Sequence, residues 1–286
     1  MLSYFQILIL ALVQGACELL PVSSSAHVIV AEKLMGVKDS SSPEMVMLLL
    51  LLHTGTMFAV IVYFWSRWKR DYFSSATQFQ WFAIQVALAT VCTVGVGLGL
   101  KVLVEKIFMR GVPHAEIEDL FNNLPLIAGA LTAVGGLIIF AGLREDKSPR
   151  HSDIQPHHSF WIGLVQGLCL PFRGFSRSGA TISTGLILGL PKPKLEEFSF
   201  ALVVVLTPLV IAQEAHRLLK AHALDGLNSV RQLLVPDLVG MVLSFIAGLL
   251  ALKLLSRWLE GGRWKFFGGY CLVAAAGVLA VHFLVK

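Results

Sequence analysis

Six apolar runs, at residues 44–65, 79–100, 125–143, 198–212, 235–255 and 267–285, fix what this chain can fold into. Most reach about 20 residues, the length a helix needs to cross roughly 30 Å of hydrocarbon. In lipid every backbone N–H and C=O must find its partner inside the protein, so runs of this length fold as helices. Composition agrees: of 286 residues 56% are hydrophobic and only 14% charged, with a mean hydropathy of +0.73. A soluble domain carries about 25% charged residues. The chain therefore reads as an all-α polytopic membrane protein with six spans. Its N-terminus lacks a basic segment, and its first apolar run leads straight into Glu18 and three serines. The first segment is expected to stay in the mature protein rather than leave as a signal peptide.

Two further apolar stretches do not make spans. Residues 2–20 run into Pro21-Val22-Ser23-Ser24-Ser25 and then a short run at 26–35; residues 160–170 run into Pro171, a Gly- and Ser-rich turn and a run at 181–190. Ten helical residues cover only about 15 Å, so each pair is expected to form a re-entrant hairpin with a polar tip inside the membrane. Gln-Gly-x-Cys opens each hairpin, at Gln14 to Cys17 and at Gln166 to Cys169, and a Ser-x-Ser turn marks each tip. Hairpin plus three spans occurs twice. Three is odd, so the second hairpin enters from the opposite face, giving an inverted-topology repeat with both tips near the midplane. On this reading 1–122 is the first repeat with its hairpin at 2–36. Residues 123–158 are the third span of that repeat and the connecting loop, and 159–286 are the second repeat with its hairpin at 159–190.

Charge says less. A net charge of +5 suits anionic lipid or phosphate, and the Lys and Arg are scattered through short loops without aromatic interleaving, which excludes a nucleic-acid surface. Setting aside Arg173 and Arg177 at the second tip, nine Lys and Arg fall on the face holding both termini and twelve on the other, so the positive-inside rule places the termini outside the cytoplasm. The four cysteines lack the close pairing of a zinc site or a disulfide framework.

Polar groups sunk in lipid are costly, so the two tips mark a site. At the second, Ser176-Arg177-Ser178-Gly179-Ala180-Thr181 precedes a short helix. A serine cap, free N–H groups and the helix dipole form an anion site, to which Arg177 adds a planar fork of donors matched to phosphate. Arg173 either adds a second phosphate contact or lies at the wet mouth of the hairpin. At the first tip, Ser23-Ser24-Ser25-Ala26-His27 repeats the arrangement and adds groups able to act as nucleophile or general base; Ser24 and His27, three apart, can share a helix face. Gln14 and Glu18, four apart, project from one face of the rising helix. Glu18 has three open uses: a divalent cation, orientation of His27, or a structural ion pair with Arg177. His53-Thr54-Gly55-Thr56 and Glu197 read as helix packing and end-anchoring.

At these residues the chain resembles the bacterial undecaprenyl-diphosphate phosphatase family, also called the bacitracin-resistance protein BacA family, over essentially its whole length. Gln14 and Glu18 meet the family's first pattern, Glu or Gln, three residues, then Glu. Pro21 to His27 meet Pro-Val-Ser-Ser-Ser-x-His, and Gly174, Ser176, Arg177, Ser178 and Thr181 meet Pro-Gly-x-Ser-Arg-Ser-x-x-Thr. Arg173 stands where the family has Pro, and Ala26 where it has Gly. The resemblance implies hydrolysis of the terminal phosphate of a polyprenyl diphosphate in the bacterial plasma membrane, with the site facing the periplasm. The product is the monophosphate carrier of cell-wall assembly.

Catalytic roles are then expected for Glu18, Ser24, His27 and Arg177. Phosphate contacts are expected from Ser23, Ser25, Arg173, Ser176, Ser178 and Thr181. A divalent cation, Mg2+ or Ca2+, is expected on Glu18 and Gln14. The attacking group is Ser24, His27 or an activated water. Expected partners are the polyprenyl diphosphate and membrane lipids, with a homodimer left open. The rival reading is a carrier that moves a polyprenyl phosphate without hydrolysing it, since inverted repeats with broken helices also build transporters; a scaffold without chemistry is a third.

Overall fold

A computed structural model describes residues 2–37, 42–108, 117–144, 151–221 and 228–284. Among these residues ten α-helices follow in order: α1 Tyr4–Leu19, α2 Ser24–Leu34, α3 Pro43–Asp71, α4 Ala76–Leu103, α5 Leu124–Leu143, α6 Pro156–Cys169, α7 Arg177–Ile187, α8 Lys192–Ala221, α9 Asn228–Glu260 and α10 Trp264–Leu284. Their starts are written locally. Ser3 and Gln6 form a reciprocal capping box on α1, Ser42 caps α3, Ser75 caps α4 and Asn123 caps α5. Each cap side chain accepts one of the backbone N–H groups that a first helical turn leaves unpaired.

Among the described residues six helices, α3, α4, α5, α8, α9 and α10, carry apolar stretches of at least 20 residues and are long enough to cross a bilayer. They match the six runs of the sequence. The other four are too short. α2 and α7 have 11 residues each, about 16 Å of helix, while α1 and α6 have 16 and 14. α1 packs on α2, and α6 on α7. α8 is the most internal span, with 61% of its apolar window buried against 22% for α4. Its Phe198, Phe200 and Leu202 meet Phe64 and Trp68 of α3 and the tip residues Ala180 and Ile182 in one buried cluster. Large apolar side chains that point outward, among them Val91, Leu98, Val242, Leu250 and Val273, leave an apolar coat where lipid would lie.

The principal packing partners exchange between the halves of the chain: α1 lies along α9, and α6 lies along α4. The glycine of each Gln-Gly pair makes this approach. A Cβ on Gly15 would sit 2.6 Å from the Ser244 carbonyl oxygen of α9, and one on Gly167 would sit 2.6 Å from Val96 Cβ and 2.9 Å from the Thr93 carbonyl oxygen of α4. Small residues let backbones come this close in membranes, where dispersion and interhelical hydrogen bonds drive association. Ser244 Oγ donates to the Leu52 carbonyl at 3.0 Å, and Gln166 Nε2 donates to Thr93 Oγ1 at 3.2 Å. Gly15→Val and Gly167→Val are each expected to destabilise the fold by about 1–3 kcal/mol through overpacking. Gly269→Val, with nothing within 4 Å of its Cβ position, is expected to be silent. Thermal unfolding of the detergent-solubilised variants reads the difference.

Candidate active site

The two helical tips meet. Ser178 Oγ donates to the Leu20 carbonyl at 3.2 Å, the Gly174 N–H donates to Ser25 Oγ at 3.3 Å, and Arg177 Nη2 donates to Glu18 Oε1 at 2.7 Å. Gly174 is required by its backbone: φ is +99°, and a Cβ there would sit 2.5 Å from the Ile127 carbonyl oxygen. Ser176 caps α7 as the sequence implies, its Oγ accepting from the Gly179 N–H at 3.2 Å. The first tip departs from that pattern. Ser23 precedes α2 with φ +67° and makes no side-chain cap. For a residue with a Cβ that conformation costs about 1–2 kcal/mol, so surrounding contacts must hold it. They are visible: Ser23 Oγ pairs with Ser25 Oγ at 3.2 Å, and the Ser23 carbonyl accepts from His27 Nδ1 at 2.7 Å.

Glu18 is the hub. Its Oε1 takes Arg177; its Oε2 takes Ser24 Oγ at 2.5 Å and Gln14 Nε2 at 3.1 Å. The Glu18 side chain is 11% exposed and Arg177 22%, so the pair is largely withdrawn from solvent. The helix-face spacing of Gln14 and Glu18 is realised, as is a contact between Glu18 and Arg177. Ser24 is committed to Glu18. His27 is not: Nδ1 is held by the Ser23 carbonyl, and Nε2 lies 2.8 Å from Tyr270 Oη. The carbonyl requires a hydrogen on Nδ1, which leaves the lone pair on Nε2 and makes Tyr270 the donor to it.

Other expected phosphate ligands lie further back. Thr181 is fully buried and fastens α7 to α8, with Oγ1 2.6 Å from Ser199 Oγ and 2.9 Å from the Arg177 carbonyl. Ser176 serves as cap and Ser178 as stitch between the tips. The Arg173 guanidinium stacks 4.4 Å over the Phe121 ring, so the residue in the family's proline position packs on the segment before α5.

Two residues join the site that the sequence did not single out for it. Tyr270, from α10, also stacks on His27 with centroids 5.6 Å apart and planes 11° apart. His53, read as helix packing, lies with Nε2 3.8 Å from Glu18 Oε2, its Nδ1 held by the Leu49 carbonyl at 2.8 Å. A lone Tyr in an apolar span carries no spacing signal. His53 did carry one, a histidine among apolar residues, which only the fold connects to Glu18.

For a divalent cation, Glu18 offers a carboxylate and Gln14 a carbonyl oxygen, its amide nitrogen being spent on Glu18. That donor set suits a hard cation that completes its shell with substrate phosphate oxygens. A different cluster, His151, His157 and His158, brings three ring nitrogens within 4.8 Å of one another. There His158 Nδ1 accepts from the Gln155 N–H at 3.0 Å, which places the proton on Nε2. His158 thus caps α6 and offers no lone pair to a metal.

The model of the family described as bacitracin resistance protein BacA matches residues 7–277. The chain belongs to that family. It is 56% identical over 283 residues to undecaprenyl-diphosphatase 2 of Acinetobacter baylyi, covering 98% of both chains. It is 34% identical over 290 residues to undecaprenyl-diphosphatase 2 of Burkholderia orbicola, covering 96% of this chain and 95% of that one. With the undecaprenyl-diphosphatase of Desulfosudis oleivorans the identity is 30% over 282 residues, 93% of each.

The hub arrangement makes a stability prediction. Arg177→Met strands the Glu18 charge in a poorly solvated place and is expected to lower stability by about 1–3 kcal/mol, below the 3–5 of a fully buried pair because both groups keep some exposure. Adding Glu18→Gln removes the stranded charge and is expected to recover most of that loss. Thermal midpoints of the single and double variants without substrate give the answer; a double variant no better than Arg177→Met would mean that the ion pair is not what holds the tips.

Proposed function

We propose that the chain is a membrane phosphatase that hydrolyses undecaprenyl diphosphate to undecaprenyl monophosphate and inorganic phosphate. The carrying observation is the Ser24 hydroxyl donating to Glu18 while Arg177 holds the other carboxylate oxygen: nucleophile, base and phosphate-matched cation in one cluster. The family and the names of the relatives support the same reaction. Nothing in those relatives supports the carrier reading, and a carrier needs an anion site but no hydroxyl paired with a base.

Ser24 attacks the terminal phosphorus, and Glu18 Oε2 takes its proton. The bridging P–O bond breaks and the polyprenyl monophosphate leaves. Protonation removes the charge that holds Arg177 on Glu18, which frees the guanidinium for the phosphoryl oxygens as charge develops on them. Ser23, Ser25 and the N–H groups heading α2, which no side chain caps, line the same space. Glu18 and Gln14 would hold a divalent cation, which when bound neutralises charge on the diphosphate. Water then hydrolyses the phosphoserine. The apolar outer faces of the spans accommodate the isoprenoid tail.

In the same reading the two short helix pairs are re-entrant hairpins of an inverted repeat, 1–122 with 123–158 and 159–286, opening toward the periplasmic face of the plasma membrane. The exchange of partners between α1 on α9 and α6 on α4 favours this. In a cysteine-free background, a cysteine at Ser74, in the turn between α3 and α4, is expected to react with an impermeant maleimide only after cells are opened. Labelling of intact cells would invert the orientation.

The reaction itself is tested by phosphate release from undecaprenyl diphosphate in detergent, where no second compartment exists. Ser24→Ala, Glu18→Gln and Arg177→Ala are each expected to lose at least about 10²-fold in kcat, and chelation is expected to suppress the wild type. Binding of the diphosphate without any release would sink the phosphatase.

A further inference from the structure

Attack by Ser24 leaves a second problem. Once Glu18 has taken the serine proton it is the acid that must return it when the phosphoserine breaks, and it cannot also receive the proton of the attacking water. Another acceptor has to stand beside the first tip. His27 follows Ser24 by three residues on α2, and its Nδ1 hydrogen is tied to the strained Ser23 carbonyl at 2.7 Å, so its one lone pair is on Nε2. That lone pair is occupied. Tyr270 Oη lies 2.8 Å from it, with the two rings stacked. A hydroxyl that donates its proton to a base still has lone pairs of its own, and Tyr270 is 48% exposed, so its Oη is not sealed in the core.

We infer that Tyr270 and His27 form a proton-accepting relay for the second half of the reaction, hydrolysis of the phosphoserine. This rests on the phosphatase reading above. The water oxygen bonds to phosphorus as the bond from phosphorus to Ser24 Oγ breaks. The Glu18 carboxyl returns its proton to Oγ. The water proton passes to Tyr270 Oη while the phenolic proton passes to His27 Nε2, and the resulting imidazolium keeps its Nδ1 hydrogen on the Ser23 carbonyl. Inorganic phosphate leaves, His27 returns a proton to Tyr270, and Tyr270 gives one to solvent. Tyr270 remains a neutral phenol before and after, so the relay asks for no phenolate at rest. Glu18 and His27 thus divide the two halves: one serves the serine, the other the water.

The division makes the two halves separable. Tyr270→Phe keeps the ring that stacks on His27 and removes only the hydroxyl, so the fold is expected to hold; an unchanged thermal midpoint checks it. In that variant the burst of monophosphate formed in the first turnover is expected to be preserved and steady-state phosphate release to fall by about 10²-fold. The phosphoryl group should then accumulate on the peptide carrying Ser24, detected by mass spectrometry after acid quench. His27→Gln is expected to accumulate the same species, and the double variant to be no slower than His27→Gln alone. Wild-type turnover in Tyr270→Phe, or slow turnover without phosphoserine, would overturn the relay while leaving the phosphatase intact. A wild type that releases no phosphate at all would instead bring down the phosphatase reading and the relay with it.

Discussion

Glu18 and Arg177 stand 159 positions apart in the chain and 2.7 Å apart in the fold, and the site has no shape without that contact. Each charge alone would be poorly placed in so enclosed a position, with side chains only 11% and 22% exposed, because an unpaired ion withdrawn from solvent is expensive. Paired, each becomes the reason the other can be there. The contact also joins two short helix pairs that have no covalent link near their tips, with Ser178 on the Leu20 carbonyl and Gly174 on Ser25 stitching the backbones around it. The arrangement is poised: anything that neutralises Glu18, by protonation or by a cation, loosens Arg177 at the same moment. Phosphoryl transfer needs that coupling, since the demand for positive charge rises when the nucleophile loses its proton.

Two similar helix pairs would make two sites if both tips carried the same chemistry. They do not. The position that follows Gln-Gly-x-Cys is Glu18 in the first half and Leu170 in the second. Gln14 donates to Glu18, while Gln166 donates to Thr93 on α4 and so becomes part of helix packing. One helix pair supplies carboxylate, hydroxyl and imidazole; the other supplies the cation and a capped helix start. A single asymmetric centre is therefore built from two similar scaffolds, each too short to cross the bilayer and each backed by a span from the other half of the chain.

Much of this was legible in residues alone, because lipid makes sequence speak plainly. Backbone satisfaction forces the six apolar runs into helices, and hydroxyls and charges that interrupt the two further apolar stretches stand out against the hydrocarbon. The cap at Ser176 was legible for the same local reason. What escaped were contacts between single residues of distant elements. Tyr270 sits in a run whose neighbours are apolar or small, so no period marks it, and its meaning arises only where α10 touches α2. His53 is visible as a polar residue in a span, yet its approach to Glu18 depends on how α1 lies against α3. The positive φ of Ser23 is invisible too, since serine at a tip reads as a side-chain cap, and here its carbonyl is what matters.

That carbonyl explains why strain is tolerated at the tip. Turning Ser23 into a left-handed conformation aims its C=O at His27 Nδ1, which decides the tautomer and commits the free lone pair to Nε2. The same carbonyl also accepts the His27 backbone N–H at 3.4 Å, so it takes the first intrahelical bond and fixes the tautomer together. About 1–2 kcal/mol of backbone strain is small beside a barrier change of roughly 3 kcal/mol for each 10²-fold in rate. The same carbonyl holds the imidazole whose Nε2 meets Tyr270, while Glu18 takes Ser24, so that two proton acceptors, one on α1 and one on α2, face different partners. Had both faced Ser24, they would have competed for one proton and left the water without a base.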